Sequence, residues 1–196
     1  KFELGLTDAD LAEIVVKDRY VSKHNGVTHL YLRQRLNGIE LFNGDININI
    51  MPDGRIVNLG NRFVSDLSSK VKHARPTLDA IATLRSVAGQ LKLPITSALV
   101  ATASARGTDQ ATQVSSGGIS VAPIPMRLIY QSLENGKVKL SWNMVIQPPN
   151  SSDWFDIRAD ATTGEILSRV NWTSDAAPVQ HESVAQSPAA MPANAP

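Results

Sequence analysis

The 196-residue chain has no cysteine. That excludes a disulfide scaffold, a thiolate-bound zinc and a cysteine nucleophile, although secreted domains of this size can fold without disulfides. Charge of one sign is also lacking. Nineteen Lys+Arg against 18 Asp+Glu leave a formal +1, without the long-range positive field that holds nucleic acid. No apolar run approaches the ~18 residues of a membrane helix, and the start at Lys1 shows no signal-peptide core. The chain is therefore read as a piece of a longer precursor, cut at both ends, whose partner is neither nucleic acid nor membrane.

Catalytic signatures are missing as well. A zinc-protease helix needs His-Glu-x-x-His, because i and i+4 histidines share one helix face. The one His-Glu pair stands in His181-Glu182-Ser183-Val184-Ala185, with alanine where the second histidine belongs. No Gly-x-Ser-x-Gly elbow occurs, Gly117-Gly118 is not followed by Gly-Lys-[Ser/Thr], and no paired carboxylates stand out for acid–base work. Neither a catalytic residue nor a metal ligand is assigned.

What is present is a core-forming pattern, with 42% apolar residues arranged twice in the same order, a helix followed by antiparallel strands. Thr7 and Asp10 form a capping box, and Leu11, Ile14 and Val15 follow at helical spacing. This helix is expected to cover the dry side of a sheet. Asn25-Gly26, Asn37-Gly38 and Asp53-Gly54 mark hairpins of type I′. Between them Leu30, Leu32 and Leu36 alternate with His29, Tyr31, Arg33 and Arg35, and Phe42, Ile46, Ile48 and Ile50 with Asn43, Asp45, Asn47 and Asn49. Such a period of two describes an antiparallel sheet wet on one face.

Residues 65–76 lack periodicity and end in proline, the signature of a linker. Thr77 is read as an N-cap for a helix with Leu78, Ile81, Leu84, Ala88 and Leu91 on one stripe, ending before Pro94. Residues 95–118 read as a long loop with one edge strand. Strands resume with Met126, Leu128 and Tyr130, then Val138, Leu140, Trp142, Met144 and Ile146, then Phe155, Ile157 and Ala159, and close with Ile166, Val170 and Trp172. The fold class is α+β, with modules at 1–64 and 77–172 and, over 173–196, an Ala/Pro/Ser-rich tail too poor in large apolar groups to offset its ordering entropy.

Several polar groups admit two readings. His29, Arg33 and Arg35 share a strand face, either as a solvated surface or as a basic patch for an acidic partner. Asp45, Asn47 and Asn49 mimic alternate oxygen ligands, but on a strand they read as a hydrated face rather than a calcium site. Trp142, Trp154 and Trp172 read as core, with Trp154 also an interface candidate. Asn150-Ser151-Ser152 and Asn171-Trp172-Thr173 are sequons, meaningful in a eukaryotic secretory pathway.

The stretch from His24 to Ile50, through His24-Asn25-Gly26-Val27, Asn37-Gly38-Ile39-Glu40 and Asp45-Ile46-Asn47-Ile48-Asn49-Ile50, resembles the propeptide of fungalysin-type secreted zinc metalloproteases, as does Asp53-Gly54-Arg55-Ile56 through Phe63. The segment from Trp154 to Leu167 resembles the PepSY module that follows in those precursors. The resemblance spans residues 7–173. It implies two cystatin-like helix-on-antiparallel-sheet modules in tandem and a secreted, extracellular setting. It also implies that the chain covers the active-site cleft of a cognate metalloprotease catalytic domain and assists its folding until cut away. The chain itself would need no cofactor, the zinc belonging to that partner. His29, Arg33, Arg35, Asn171 and Trp172 are the candidate protease contacts. Activation cleavage is expected in the tail, with Thr173, Ser174, Asp175 and Pro196 as candidate positions. Two other readings stay open: a stand-alone extracellular PepSY-type binding or inhibitor module, and a cystatin-like wedge built on Gln113-Val114-Ser115-Ser116-Gly117.

Overall fold

A computed structural model describes residues 4–175. His181, Glu182, Pro196 and the tail from residue 176 onward lie outside them. The elements are α1 (Asp8–Leu11), β1 (Val15–Val21), β2 (Thr28–Leu36), β3 (Ile39–Ile50), β4 (Ile56–Asn61), α2 (Leu67–Lys70), α3 (Ala80–Gln90), β5 (Ala101–Arg106), β6 (Ala111–Val114), β7 (Ile124–Ser132), β8 (Val138–Ile146), β9 (Phe155–Asp160), β10 (Ile166–Asn171) and α4 (Trp172–Asp175). The class is α+β, mostly sheet with few helices.

Thr7 caps α1 through the capping box: the Asp10 N–H donates to Thr7 Oγ1 at 3.2 Å, and the Thr7 N–H to Asp10 Oδ2 at 2.9 Å. The helix then lasts one turn, not the longer run expected from Leu11, Ile14 and Val15. Ile14, Val15 and Val16 are three β-branched residues in succession, which lose rotamer freedom in a helix and suit a strand, so β1 begins at Val15. One turn cannot roof a sheet. Leu6, Ile46 and Phe63 instead form a satellite core with Leu4, Leu11, Ile14, Leu32 and Ile48, while Val21 and Ile56 stay exposed.

The three Gly dipeptides differ in geometry. Only Asn37-Gly38 has positive φ at both positions (53° and 75°), as a type I′ turn requires. At Asn25-Gly26 and Asp53-Gly54 the glycine alone is left-handed, closing longer loops in which Gly26 N–H bonds to Ser22 O and Gly54 N–H to Met51 O. Gly38 also lies against the β5–β6 turn: a Cβ there would strike the Thr108 hydroxyl, which donates to Gly38 O at 3.0 Å.

The β2–β3 ladder departs from simple alternation. Arg33 pairs with Asp45 but Arg35 with Glu40, so the β3 residues 41–44 oppose Gln34 alone. Asn43 sits at φ 56°, the strand bends, and Leu41 rather than Phe42 turns into the core. This corrects the expected inward position of Phe42. Gln34, opposite the extra residues, is fully buried; its amide donates to Val64 O at 2.8 Å and accepts the Val64 N–H at 2.7 Å. Beyond the bend, Leu41 pairs in parallel with Tyr130, which joins β1–β4 to the second set of strands in the order β1-β2-β3-β7-β8-β9-β10.

The second set is the antiparallel β7-β8-β9-β10, with β5–β6 added at the β7 edge. Residues 95–118 are thus a loop followed by a hairpin, not a loop with one edge strand; the exposed Ala-Thr-Ala-Ser-Ala-Arg of β5 has no alternation to reveal it. Val138, Leu140, Trp142, Met144 and Ile146 are all buried, as their spacing requires. α3 packs Ala80, Leu84, Val87 and Ala88 into the same core. Its N-cap is Asp79, whose carboxylate accepts the Ala82 N–H at 2.7 Å, and not Thr77, whose own N–H bonds to Ala161 O. Asp79→Ala is expected to lower stability by about 1 kcal/mol, read from a urea midpoint shift at unchanged slope. Residues 65–76 are structured: Leu67 of α2 is in the main core, and Val71 bridges in parallel to Val138.

Candidate functional site

The side chains singled out on β2 are held by their own chain. His29 Nε2 lies 2.9 Å from Ser22 Oγ, and its ring stacks on Tyr20 at 4.6 Å; Tyr20 stacks in turn on Tyr31 at 6.2 Å. Arg33 donates through Nε and Nη2 to the two oxygens of Asp45 and through Nη1 to Glu40 at 3.3 Å. Glu40 also receives Lys17 at 3.2 Å. The Arg35 Nε lies 3.9 Å from Glu13, whose carboxylate accepts the backbone N–H groups of Asn37 and Gly38 at the type I′ turn. The face is therefore an ion-pair network with an aromatic ridge beside it, not a concentration of free positive charge. The acidic partners Glu13, Glu40 and Asp45 are spread through the sequence, and only strand pairing brings them to the arginines.

Asp45 and Asn49 are spent likewise. Asp45 holds Arg33, and Asn49 Nδ2 donates to Asn58 Oδ1 at 2.5 Å. Among the described residues no group of three or more His, Asp and Glu is placed to hold a metal ion. Gln113 and Val114 end β6, paired between β5 and β7, with Val114 fully buried; they cannot project as a wedge.

The other predicted residues form a corner where the chain leaves the sheet. Asn171 ends β10, its Oδ1 accepts the Trp154 and Thr173 N–H groups at 3.1 and 3.2 Å, and its Nδ2 donates to Asp153 at 2.8 Å. The Thr173 hydroxyl donates to Ser152 O at 2.6 Å, and the Trp172 N–H to Trp154 O at 2.9 Å. Chain order is thus held through Thr173 and the one-turn α4 to Asp175, two residues past the point where the tail was expected to begin. Asp153 is held below the ordinary carboxylate range by its bonds from Ser151 and Asn171. On this frame Trp154 and Trp172 stand out at 44% and 45% exposure, their rings 5.8 Å apart. Of the three tryptophans only Trp142 is core, its indole donating to Leu78 O at 2.9 Å. Trp154 follows a polar turn and Trp172 follows the last strand residue, a position at which alternation no longer dictates burial.

The structure does not bring the two groups together. β3, β7, β8 and β9 separate β2 from β10, about 24 Å along the strand order at ~4.8 Å per strand. No helix among the described residues is long and apolar enough to cross a membrane.

Comparison with known proteins follows the same outline. Residues 12–63 match the Fungalysin/Thermolysin Propeptide Motif. The chain is 32% identical over 155 residues to "Extracellular metalloproteinase mep" of Aspergillus fumigatus, covering 77% of this chain and 24% of that protein. It is 32% identical over 164 residues to "Extracellular metalloproteinase 2" of Phaeosphaeria nodorum, covering 82% and 25%. Against "Extracellular metalloproteinase 10" of Coccidioides posadasii it is 29% identical over 157 residues, covering 80% and 24%. The chain thus spans about a quarter of the length of the curated relatives it matches. A solved structure, the C-terminal domain of Bacillus megaterium YpeB, superposes with a TM-score of 0.23 at 11% identity over 81% of this chain and 88% of that one, too little to carry an argument.

Proposed function

We propose that the chain is a propeptide of the fungalysin type, which covers the cleft of a metalloprotease catalytic domain encoded with it, keeps that domain latent, and assists its folding. The observation that carries this reading is the match of residues 12–63 to the propeptide motif, together with a 155-residue alignment to an extracellular metalloproteinase that covers 77% of the chain. The residues add a physical rationale. A protease needs several residues of extended, unpaired backbone, and here each of the ten strands is held in at least one ladder, with β2, β7, β8 and β9 paired on both sides. The cover resists the enzyme it covers. Tethering makes inhibition intramolecular, with an effective concentration on the order of millimolar that vanishes when the connection is cut. Binding native protease in preference to unfolded protease stabilises it by mass action. No bond-breaking step falls to this chain, and the zinc and its ligands are the partner's. The second set of strands with α3 across it is, in this reading, a PepSY-like, cystatin-like unit, and β1–β4 with the one-turn α1 its reduced counterpart. The setting is extracellular, as in the relatives' names.

The corner of Trp154 and Trp172 is the contact we favour, since exposed aromatics on a rigid frame are what interface centres are made of. His29, Arg33 and Arg35 serve as rim contacts, and cleavage falls at or beyond Thr173, Ser174 and Asp175. The test adds the purified chain in trans to the mature cognate protease and follows peptide hydrolysis. Slowing at micromolar prodomain is expected, and its absence overturns the reading. Trp172→Ala is expected to weaken inhibition by at least about tenfold. Arg33→Ala shifts it by less than about threefold, because that charge is already paired.

A further inference from the structure

The sequence Lys-Val-Lys occurs twice, at 70–72 and 137–139, and the fold sets the two copies side by side. Val71 bridges in parallel to Val138. Val138 is buried and Val71 packs against the main core. With the valines turned inward, Lys70, Lys72, Lys137 and Lys139 all line one cavity of about 290 Å³, together with His73, Asp160, Thr162 and Thr163. Asp160 is the sole carboxylate among those lining residues, and it is already bonded to Lys139 at 2.6 Å. The other three ammonium groups are without a carboxylate partner within the described residues. In a chain whose formal charge is +1, this concentration of one sign is costly, since like charges on adjacent strands repel. Nothing in the hydrophobic core requires it, because the two valines alone satisfy the bridge.

We infer that the paired Lys-Val-Lys triplets form a clamp for an extended acidic peptide segment of a protein partner, one carrying carboxylates at alternate positions. Side chains two residues apart on an extended chain point to the same side at a spacing of about 6.6 Å. Lys137, immediately before β8, and Lys139, on β8 and shared with Asp160, flank the inward Val138 at that spacing, and an i, i+2 pair of carboxylates on an extended segment repeats it. The lysine stems with Val138 and Leu140 give the cavity an apolar lining for the segment's intervening side chain, while Thr162 and Thr163 supply hydroxyl donors at its rim. Lysine, a flexible point charge, suits carboxylates that approach singly rather than in a planar fork. The inference stands apart from the prodomain reading: it concerns binding to the isolated chain and requires no protease.

The test uses the full chain and a fluorescein-labelled, end-blocked peptide of sequence Glu-Val-Glu-Val-Glu, titrated by fluorescence anisotropy. Saturable binding at low ionic strength is expected, weakened about tenfold on raising salt to about 0.3 M. Lys72→Gln with Lys137→Gln is expected to weaken binding at least about tenfold while melting at or above the temperature of the parent chain, because repulsion is relieved. Lys23→Gln with Arg106→Gln, the same change of charge elsewhere on the surface, leaves binding as it was. Equal loss in both pairs, or none in either, overturns the clamp. So does equal affinity for the rearranged peptide Glu-Glu-Glu-Val-Val, which has the same charge without the alternation, or full displacement by an equimolar amount of inorganic phosphate, which would mark a plain anion site.

Discussion

Replacing Arg158 by alanine is expected to lower the unfolding free energy by about 3–5 kcal/mol, the largest effect of any single substitution considered. Arg158 is fully buried on β9. Its Nη1 donates to Asp156 Oδ2 at 2.7 Å and its Nη2 to Ser168 Oγ at 2.9 Å, while its guanidinium carbon lies 3.9 Å from the centre of the Phe42 ring. One side chain thereby ties β9 to β10 and to the bent part of β3, where the two sets of strands meet. A buried ion pair is weak as a net source of stability, because desolvation of both charges opposes their attraction. Breaking it from one side is different: Asp156 would remain, with the Asn143 amide at 2.6 Å on Oδ1 and nothing on its other oxygen. The control follows from that asymmetry. Arg158→Met combined with Asp156→Asn removes both charges and is expected to recover more than half of the loss. Urea unfolding at neutral pH followed by circular dichroism measures both, and a single-variant loss below about 1 kcal/mol would show that the pair does not hold the two sets of strands together.

The second large effect is expected at Asp10. Its carboxylate accepts four hydrogen bonds, from the Thr7 N–H at 2.9 Å, the Thr7 hydroxyl at 2.8 Å, and the Asp66 and Leu67 N–H groups at 2.8 and 2.9 Å. It caps α1 and at the same time holds the entry to α2, some fifty residues away in sequence. Asp10→Ala strands those N–H groups, and the expected loss is about 2–4 kcal/mol, summing a cap and buried donors left unpaired. Burial pushes the carboxyl up, but the bonds from Thr7, Leu67 and Asp66 outweigh it, and Asp10 titrates below the ordinary carboxylate range. A group whose pKa is depressed by folding contributes stability that is complete above its unfolded value of ~3.9 and is lost as pH falls through the folded value. The parent chain should therefore lose melting temperature below about pH 4, and the gap between it and Asp10→Asn should narrow over the same range. A gap that stays constant to pH 2 would mean that ionisation of Asp10 is not what matters.

How much of this was legible depends on how far apart the interacting residues lie. The capping box at Thr7 and Asp10, the left-handed Asn37-Gly38 turn and the alternation from Val138 to Ile146 each involve neighbours a few residues apart, and each is found where the sequence puts it. The helical period of Leu11, Ile14 and Val15 overstates α1, because Ile14-Val15-Val16 also favours a strand and β1 pairs with β2 from Val15 onward. Where the sequence indicates one edge strand the structure has the β5–β6 hairpin, because the exposed small residues of β5 have no period. The bend at Asn43 accompanies the parallel pairing of Leu41 with Tyr130, a contact between residues too far apart in the chain for any local period to record.

By itself, then, the sequence determined the α+β class, the lack of catalytic and metal-binding motifs, and the likeness to a propeptide, all of which rest on composition or on short, contiguous patterns. The tertiary structure alone decided which charges are free. It neutralised Arg33 with Asp45 and Glu40, left Trp154 and Trp172 in the open, and laid Lys70 and Lys72 beside Lys137 and Lys139. The physical reason is that an ionic side chain acquires its character from whatever faces it across the ladder. In a sheet that neighbour comes from another strand, at a distance along the chain that no local period records.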